Sequence, residues 1–244
     1  MRGALSALVR LLVVQASWTY ERLQGVGFGY ASLPLLERLR DDPKRYRAAV
    51  ARSAEYFNAH PYLTGIAVGA AATAELEGVP GPTVQRLKTA LAGPLGALGD
   101  QLFWIGVVPA VMGATLIAVA FGAGLTAVVV GLVLYGFVRI ATTAWGLRLG
   151  LRSGFRVSTE LHRSGLADAV RRTGLLAGLL VGAALPVTAD WIAGPDRPAG
   201  PLLAIGIGAV GGILAALARF RVPNSRRLAL IAAVAVLLWN GSFR

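Results

Sequence analysis

A small set of polar and aromatic residues stands inside otherwise apolar sequence, and these side chains are where chemistry has to be sought. Near the start they are Gln15, Trp18, Glu21 and Gln24. In the middle they are Asn58, His60 and Thr64, and then Asp100, Gln101 and Trp104. Gln15, Trp18 and Glu21 are three apart and would share one face of a helix. Carboxylates accept hydroxyl protons, amides both donate and accept, and indole rings offer a platform for C–H-rich surfaces. That is the toolkit for binding a sugar rather than for making or breaking bonds. Blander readings stand beside it. Gln15 and Glu21 would also suit the headgroup layer, Trp18 and Trp104 would serve as interface anchors, and His60 before Pro61 would do as a helix-terminal hydrogen-bond donor. His162, the other histidine, is not at metal-binding spacing from His60. There is no cysteine, no Walker loop and no GxSxG elbow. A thiolate nucleophile and Cys-ligated zinc are thereby excluded, the missing Walker loop speaks against an ATPase, and no cofactor is implied.

The segment Gly93–Trp104 concentrates glycines and a proline around one carboxylate, Asp100. Behind it, from Gln101 to Val138, come 38 residues without a charge. A lone acid at the mouth of such a tract is a functional-site hypothesis by default if the tract lies in a membrane. The alternative is a glycine-rich turn whose Asp caps the next helix.

These residues need elements to carry them, and the composition says of what kind. Of the 244 residues, 55% are hydrophobic, against about 45–50% in soluble domains. The 31 glycines suit helices that pack closely in a membrane. The net charge is +12, carried almost wholly by arginine. Its clustering between apolar tracts fits positive-inside loops facing anionic lipid, not nucleic acid. Leu5, Leu8, Val9, Leu12 and Val13 fall on one helical face, and Arg10 interrupts the run as a signal peptide would not. The start therefore reads as an amphipathic helix in the interface.

The expected organisation is all-α and membrane-integral. Residues 1–59 form amphipathic N-terminal helices, including one that starts at Pro43 after the acidic cap Asp42. Residues 60–100 form a re-entrant or broken region, because the apolar stretch Tyr62–Ala74 has 13 residues where a span needs about 20. A turn at Val79–Pro82, a short helix Thr83–Leu91 and the Gly93–Asp100 stretch complete it. Residues 101–244 supply about five transmembrane helices. The first two form a hairpin turning near Gly122-Ala123-Gly124, and an arginine-rich cytoplasmic segment follows at 139–172. Further spans are expected at Thr173–Ala189, Pro198–Ala218 and Leu228–Phe243. The charges place the N-terminus inside and the C-terminus outside.

Four blocks, in order, resemble the IID membrane component of mannose/fructose/sorbose-type sugar phosphotransferase systems. Gln15-Ala16-Ser17-Trp18-Thr19-Tyr20-Glu21-Arg22-Leu23-Gln24 with Gly27-Phe28-Gly29-Tyr30 resembles that family's N-terminal signature. Phe57-Asn58-Ala59-His60-Pro61 resembles FNTHP. Arg86–Leu95 followed by Gly99-Asp100-Gln101-Leu102-Phe103-Trp104 resembles KxGLMGPLAGIGDSLFW, and Trp145–Gly150 resembles WYGLKYGY. The resemblance implies a multi-pass subunit of a bacterial cell membrane that pairs with a IIC subunit, forms a higher-order IIC–IID oligomer among membrane lipids and translocates a hexose of the mannose type. The soluble IIA and IIB components would carry the phosphoryl group, so the chain would be no enzyme by itself. It also implies that Asn58, His60, Asp100 and Gln101 line the sugar pathway, with Gln15, Trp18 and Glu21 behind them. Ala59, Thr19 and Gln101 depart from the family's usual Thr, Asn and Ser. Those departures leave open a second reading, a IID-like scaffold or sensor without transport. A lipid-acting membrane enzyme has less behind it, since the paired acids Asp41/Asp42 and Glu75/Glu77 do not converge on one helical face.

Overall fold

The computed structural model describes residues 3–193, and among these it is helical with no strand. The spans expected at Pro198–Ala218 and Leu228–Phe243, and the placement of the C-terminus, lie outside the described residues. Helix α1 (Ala4–Leu11) is followed by turns through Gln24, and then come α2 (Gly25–Leu36) and α3 (Pro43–Ser53). Asp42 opens α3 as expected: its carboxylate accepts the backbone N–H groups of Lys44 and Arg45 at 3.1 and 3.0 Å, with Pro43 in the first turn. The turns of residues 12–24 correct the expectation that Gln15, Trp18 and Glu21 share a helix face. Leu23 there has φ 48° and pairs by backbone with both Thr19 and Phe57, so the segment is held by a neighbouring loop rather than by its own helix.

Helix α1 and the turn after it have two apolar sides where the sequence pattern suggests one. Leu5, Val9 and Val13 point outward, while Ala7, Leu11 and Val14 are buried against the protein. Period alone cannot separate a protein-facing stripe from a lipid-facing one.

The centre of the fold is α4 (Thr64–Leu76), with every residue from Thr64 to Glu75 buried. Its sequence is small and apolar all round, which is the pattern of a helix enclosed by others. It lies along α7 (Gly124–Ser153), and the two approach through glycines. A Cβ at Gly69 would stand 2.7 Å from Leu151 N, and one at Gly150 would collide with the carbonyl oxygen of Ile66. Gly65 opposes Thr143 and Leu147, so the two helices run in the same direction. Such small-residue seams let backbones pack tightly where no hydrophobic drive between helices exists. At its far end α4 is tied to α3. Arg52 donates from Nε and Nη2 to the Glu75 carboxylate at 2.8 and 2.7 Å, and Arg45 Nη2 donates to the Glu75 carbonyl at 2.6 Å. That fork holds the Arg52 guanidinium above its ordinary range, the hydrogen bond to Glu75 outweighing the loss of solvent.

Helix α5 (Gly81–Asp100) corrects the reading of Gly93–Asp100 as a turn. The helix runs through Gly93, Pro94, Gly96 and Gly99, because Leu91, Leu95 and Gly99 face the core and their burial outweighs weak propensity. It continues without a break into a widened, π-type stretch, Gln101–Val107, and then α6 (Val108–Ala118). After a second widened stretch, Val119–Ala123, the chain reverses where the hairpin was expected. Gly122 and Gly124 adopt φ 90° and 52°, a region closed to most other residues. Gly131 of α7 then opposes Thr115 and Val111 of α6, the mark of an antiparallel pair. Helix α7 has 30 residues, roughly 45 Å of helix, and so carries Arg139, Arg148 and Arg152 on itself rather than in a loop. A single turn of 3₁₀ helix and α8 (Val157–Arg163) lead into α9 (Leu166–Ala193). The last packs on the widened stretch with Thr173 at Gly106 and on α6 with Leu180 at Gly113, so α9 runs parallel to α6.

The helical run Gly81–Arg163 includes an 18-residue window of mean hydropathy 2.5 that is only 6% buried. A soluble core helix is apolar because it is buried. Here Leu125, Val129, Val130, Leu132, Val133 and Phe137 are apolar and exposed, as lipid contact requires. The chain is an all-α integral membrane protein.

Candidate functional site

Of the expected site residues, His60 forms the centre of a cluster where the loop before α4 crosses the junction of α5 and the widened stretch. The loop is pinned first. Gln24, buried on the N-terminal turn, donates from Nε2 to the Ala59 carbonyl at 2.6 Å and accepts from Thr64 Oγ1 at 2.9 Å. With Ala59 held, the His60 carbonyl accepts from the N–H groups of Leu63 and Thr64 and so starts α4.

The His60 side chain then enters the core and is 2% exposed. It lies against the bare backbone of Gly99, in space that a Cβ on Gly99 would occupy. Its ring stacks on Phe103 at 5.0 Å between centroids and 13° between planes, and Tyr62 meets it edge-on at 4.8 Å. Trp104, half exposed, lies 5.6 Å away. His60 Nδ1 accepts the Tyr62 N–H at 3.3 Å, which leaves the proton on Nε2, and Nε2 has no hydrogen-bond partner. Burial pushes the imidazole down to about 4, with the nearby Asp100 charge opposing. His60 is therefore neutral at physiological pH, a hydrogen-bond donor and not a base in waiting.

Asp100 and Gln101 follow Gly99 on the same helical run but are exposed, on its outer side. Asn58 is exposed in the loop, two residues before His60. Trp18 packs edge-on against Tyr20 at 5.0 Å and is 44% exposed, and Glu21 is exposed beside it.

Gln15 borders a cavity of about 430 Å3 between the N-terminal turn (Leu11–Ala16), Pro61, Tyr62 and Arg139. Tyr62 joins this cavity to the His60 cluster, since its ring also meets Phe103 edge-on at 4.7 Å and its hydroxyl is 2.8 Å from that of Tyr135. Arg139 closes the cavity. It donates from Nη2 to the Leu12 carbonyl at 2.6 Å, and its guanidinium lies over the Tyr62 ring at 4.9 Å.

Sequence reasoning does not single out Arg139, Tyr62, Phe103, Tyr135 or Gly99 as site residues. Tyr62 and Phe103 are within its reach, as aromatic residues in or beside the matched blocks. Arg139 reads in sequence as the first charge of a loop. Among the described residues no group of three or more His, Cys, Asp or Glu side chains is placed to hold a metal. The site consists of donors, aromatic faces and one cation, a binding surface without a nucleophile.

The comparisons with known proteins agree with one another. The family model for the "PTS system mannose/fructose/sorbose family IID component" matches residues 3–193. The fructose permease IID component of Bacillus subtilis is 27% identical over 73% of this chain and 66% of its own length. The mannose-specific EIID component of Escherichia coli is 27% identical over 72% of this chain and 64% of its own. The sorbose-specific EIID component of Klebsiella pneumoniae is 31% identical over 64% and 58%. The matched region thus spans somewhat under two thirds of these relatives. Among solved structures, the cryo-EM structure of the mannose transporter ManYZ with microcin E492 aligns over 98% of this chain and 95% of that one, with a TM-score of 0.58 and 22% identity. A second membrane-protein structure aligns over the same shares with a TM-score of 0.67 and 22% identity. The fold is shared with both, and the chain belongs to the IID component family of the mannose/fructose/sorbose phosphotransferase systems.

Proposed function

We propose that the chain is the IID subunit of a sugar phosphotransferase permease. It pairs with a IIC subunit in the inner membrane, and the pair passes a hexose to the cytoplasm for phosphorylation on IIB, with IIA supplying the phosphoryl group. The observation that carries this reading is the cavity lined by Gln15, Tyr62 and Arg139, backed by the buried His60 cluster, in a chain of this family. Together they offer hydrogen-bond donors, ring faces and a cavity at the same place. Nothing in that lining is an activated nucleophile, which suits a subunit that moves sugar without bonding to it.

Asn58, Asp100 and Gln101, exposed around the His60 cluster, are assigned to the part of the pathway completed by IIC. Trp18 and Glu21 are assigned to its rim. The arginines at the end of α7 and on α8 face the cytoplasm, which puts the Gly122–Gly124 turn outside and the N-terminus inside. The lipid-facing surface of α6 and α7 and a higher-order IIC–IID assembly belong to the same proposal. Purified IIC and IID reconstituted with IIA and IIB are expected to take up a hexose only when both membrane subunits are present, and Asp100→Asn is expected to slow that uptake. Wild-type uptake with Asp100→Asn removes Asp100 from the pathway, and uptake by IIC alone removes the function.

A further inference from the structure

Arg139 stands near the midpoint of α7. It is 15 residues from Gly124 and 14 from Ser153 on a single helix, so roughly 20 Å of α7 lies on either side of it. Intramembrane charges are rare and mark substrate paths when they face a cavity. Arg139 does face one, and among the described residues it has no carboxylate partner. Its Nη2 is fixed by the Leu12 carbonyl, its face is set by the Tyr62 ring, and its buried Nε has no hydrogen-bond partner. The side chain is thus held rigidly at the cavity wall with no carboxylate partner among the described residues, an arrangement that an anion in the cavity would complete.

The cavity it borders has about 430 Å3, within the usual range of small-molecule sites, about 300–1,000 Å3. Among the described residues no acid lines it. The other polar side chains on its wall are the amide of Gln15 and the hydroxyl of Tyr62, which is engaged with Tyr135.

We propose that this cavity is the sugar site and that Arg139 selects a sugar bearing a carboxylate, an aldonate or uronate, over a neutral hexose. The inference rests on the transport reading above and puts an acidic sugar in place of the hexose. A carboxylate would pair with the part of the guanidinium that lines the cavity, Nη2 being held by Leu12 and Nε being buried, while the Gln15 amide and the backbone of the surrounding turn remain for hydroxyls.

The test uses the full chain in detergent, alone and co-purified with its IIC subunit, and reads thermal stabilisation by D-gluconate, D-glucuronate, D-mannose, D-glucose and inorganic phosphate. The acidic sugars are expected to bind at least about tenfold more tightly than the neutral ones, as one charge-assisted pair allows. The preference is expected to weaken with salt and to vanish in Arg139→Gln. Arg139→Lys keeps charge without the guanidinium and is expected to retain part of the preference. Gln15→Ala is expected to weaken all sugars equally, which keeps the question open to measurement should Arg139→Gln fail to fold. Equal stabilisation by mannose or glucose, equal stabilisation by bare phosphate, or a preference that survives Arg139→Gln overturns the selection of acidic sugars and leaves the transport function standing. If no sugar of either class stabilises the complex or enters reconstituted vesicles, both readings fall.

Discussion

Replacing Gly99 by alanine asks whether the His60 cluster is as tight as the geometry says. The new methyl group would overlap Cβ and Cγ of His60 and lie 3.0 Å from Nδ1. Those atoms are the root of the side chain and not its flexible end, so the imidazole must leave its stack on Phe103 or α5 must move away from the loop. Overpacking of this kind costs about 1–3 kcal/mol, and losing the aromatic pairing adds about 0.5–1.5 kcal/mol. Exchanging glycine for alanine within a helix returns about 1 kcal/mol. The net loss is therefore about 2 kcal/mol. Gly96 is the control, three residues earlier on the same helix, where an added methyl would meet only Ala59 Cα, at an ordinary 3.9 Å. There only the helix gain of about 1 kcal/mol remains. The two substitutions are chemically identical, so the difference between them, about 3 kcal/mol, isolates the packing. Unfolding of each variant in the same detergent, followed by tryptophan fluorescence, measures it. Equal stability of Gly99→Ala and Gly96→Ala would mean that His60 does not rest on Gly99, and the geometry assigned to the site would fail with it.

Glu75→Gln is expected to lose about 3–5 kcal/mol, because it strands Arg52 beside a nearly buried partner whose side chain is 5% exposed; a Glu75→Leu, Arg52→Met pair should regain most of that in a denaturant titration. Asp42→Ala should cost about 1 kcal/mol through the lost cap of α3, visible as a lower unfolding midpoint without change in sugar uptake. His60 predicts a pH dependence whose sign is fixed. Its folded value of about 4 lies below the ordinary value of 6.5, so the unfolded chain takes up the proton first, and stability holds above pH 6.5 but falls as pH drops toward 4. The difference between wild type and His60→Phe across that window isolates it from the carboxylates, and a flat difference would show that His60 is not buried neutral.

The membrane character, the start of α3 at Pro43, the reversal at Gly122–Gly124 and the shortness of the central helix are legible in the sequence because each follows from local rules: hydropathy, a cap, positive φ, length. What is not legible depends on what surrounds a segment. Glycine and proline are read as punctuation, yet Gly93–Asp100 is helix. Gly99 is there to admit a ring from a loop 39 positions earlier (99 − 60 = 39). Helix α1 carries Leu5 and Val9 outward and Ala7 and Leu11 inward, and no periodicity distinguishes oil outside from oil inside. Gln24 is, in sequence, one more polar residue near the headgroups. Its partners are Ala59 and Thr64, and only tertiary structure brings them within reach.

Arg139 shows the same limit in its sharpest form. In sequence it is the first of a run of arginines, and a run of arginines after an apolar tract marks the end of the membrane. That inference assumes that the helix ends where the charges begin. Helix α7 goes on to Ser153, because Gly146 and Gly150 seat it against Ile66 and Ala70 of α4, and a seam of glycines holds a helix together past the point where hydropathy would stop it. Arg152, Arg156 and Arg163 come beyond the seam. Arg139 lies before it, opposite the loop that carries Tyr62 and the turn that carries Gln15. The glycine seam is therefore what places Arg139 inside a helix and not at the end of one. Loosening the seam should release Arg139 from the Leu12 carbonyl and open the cavity along with it.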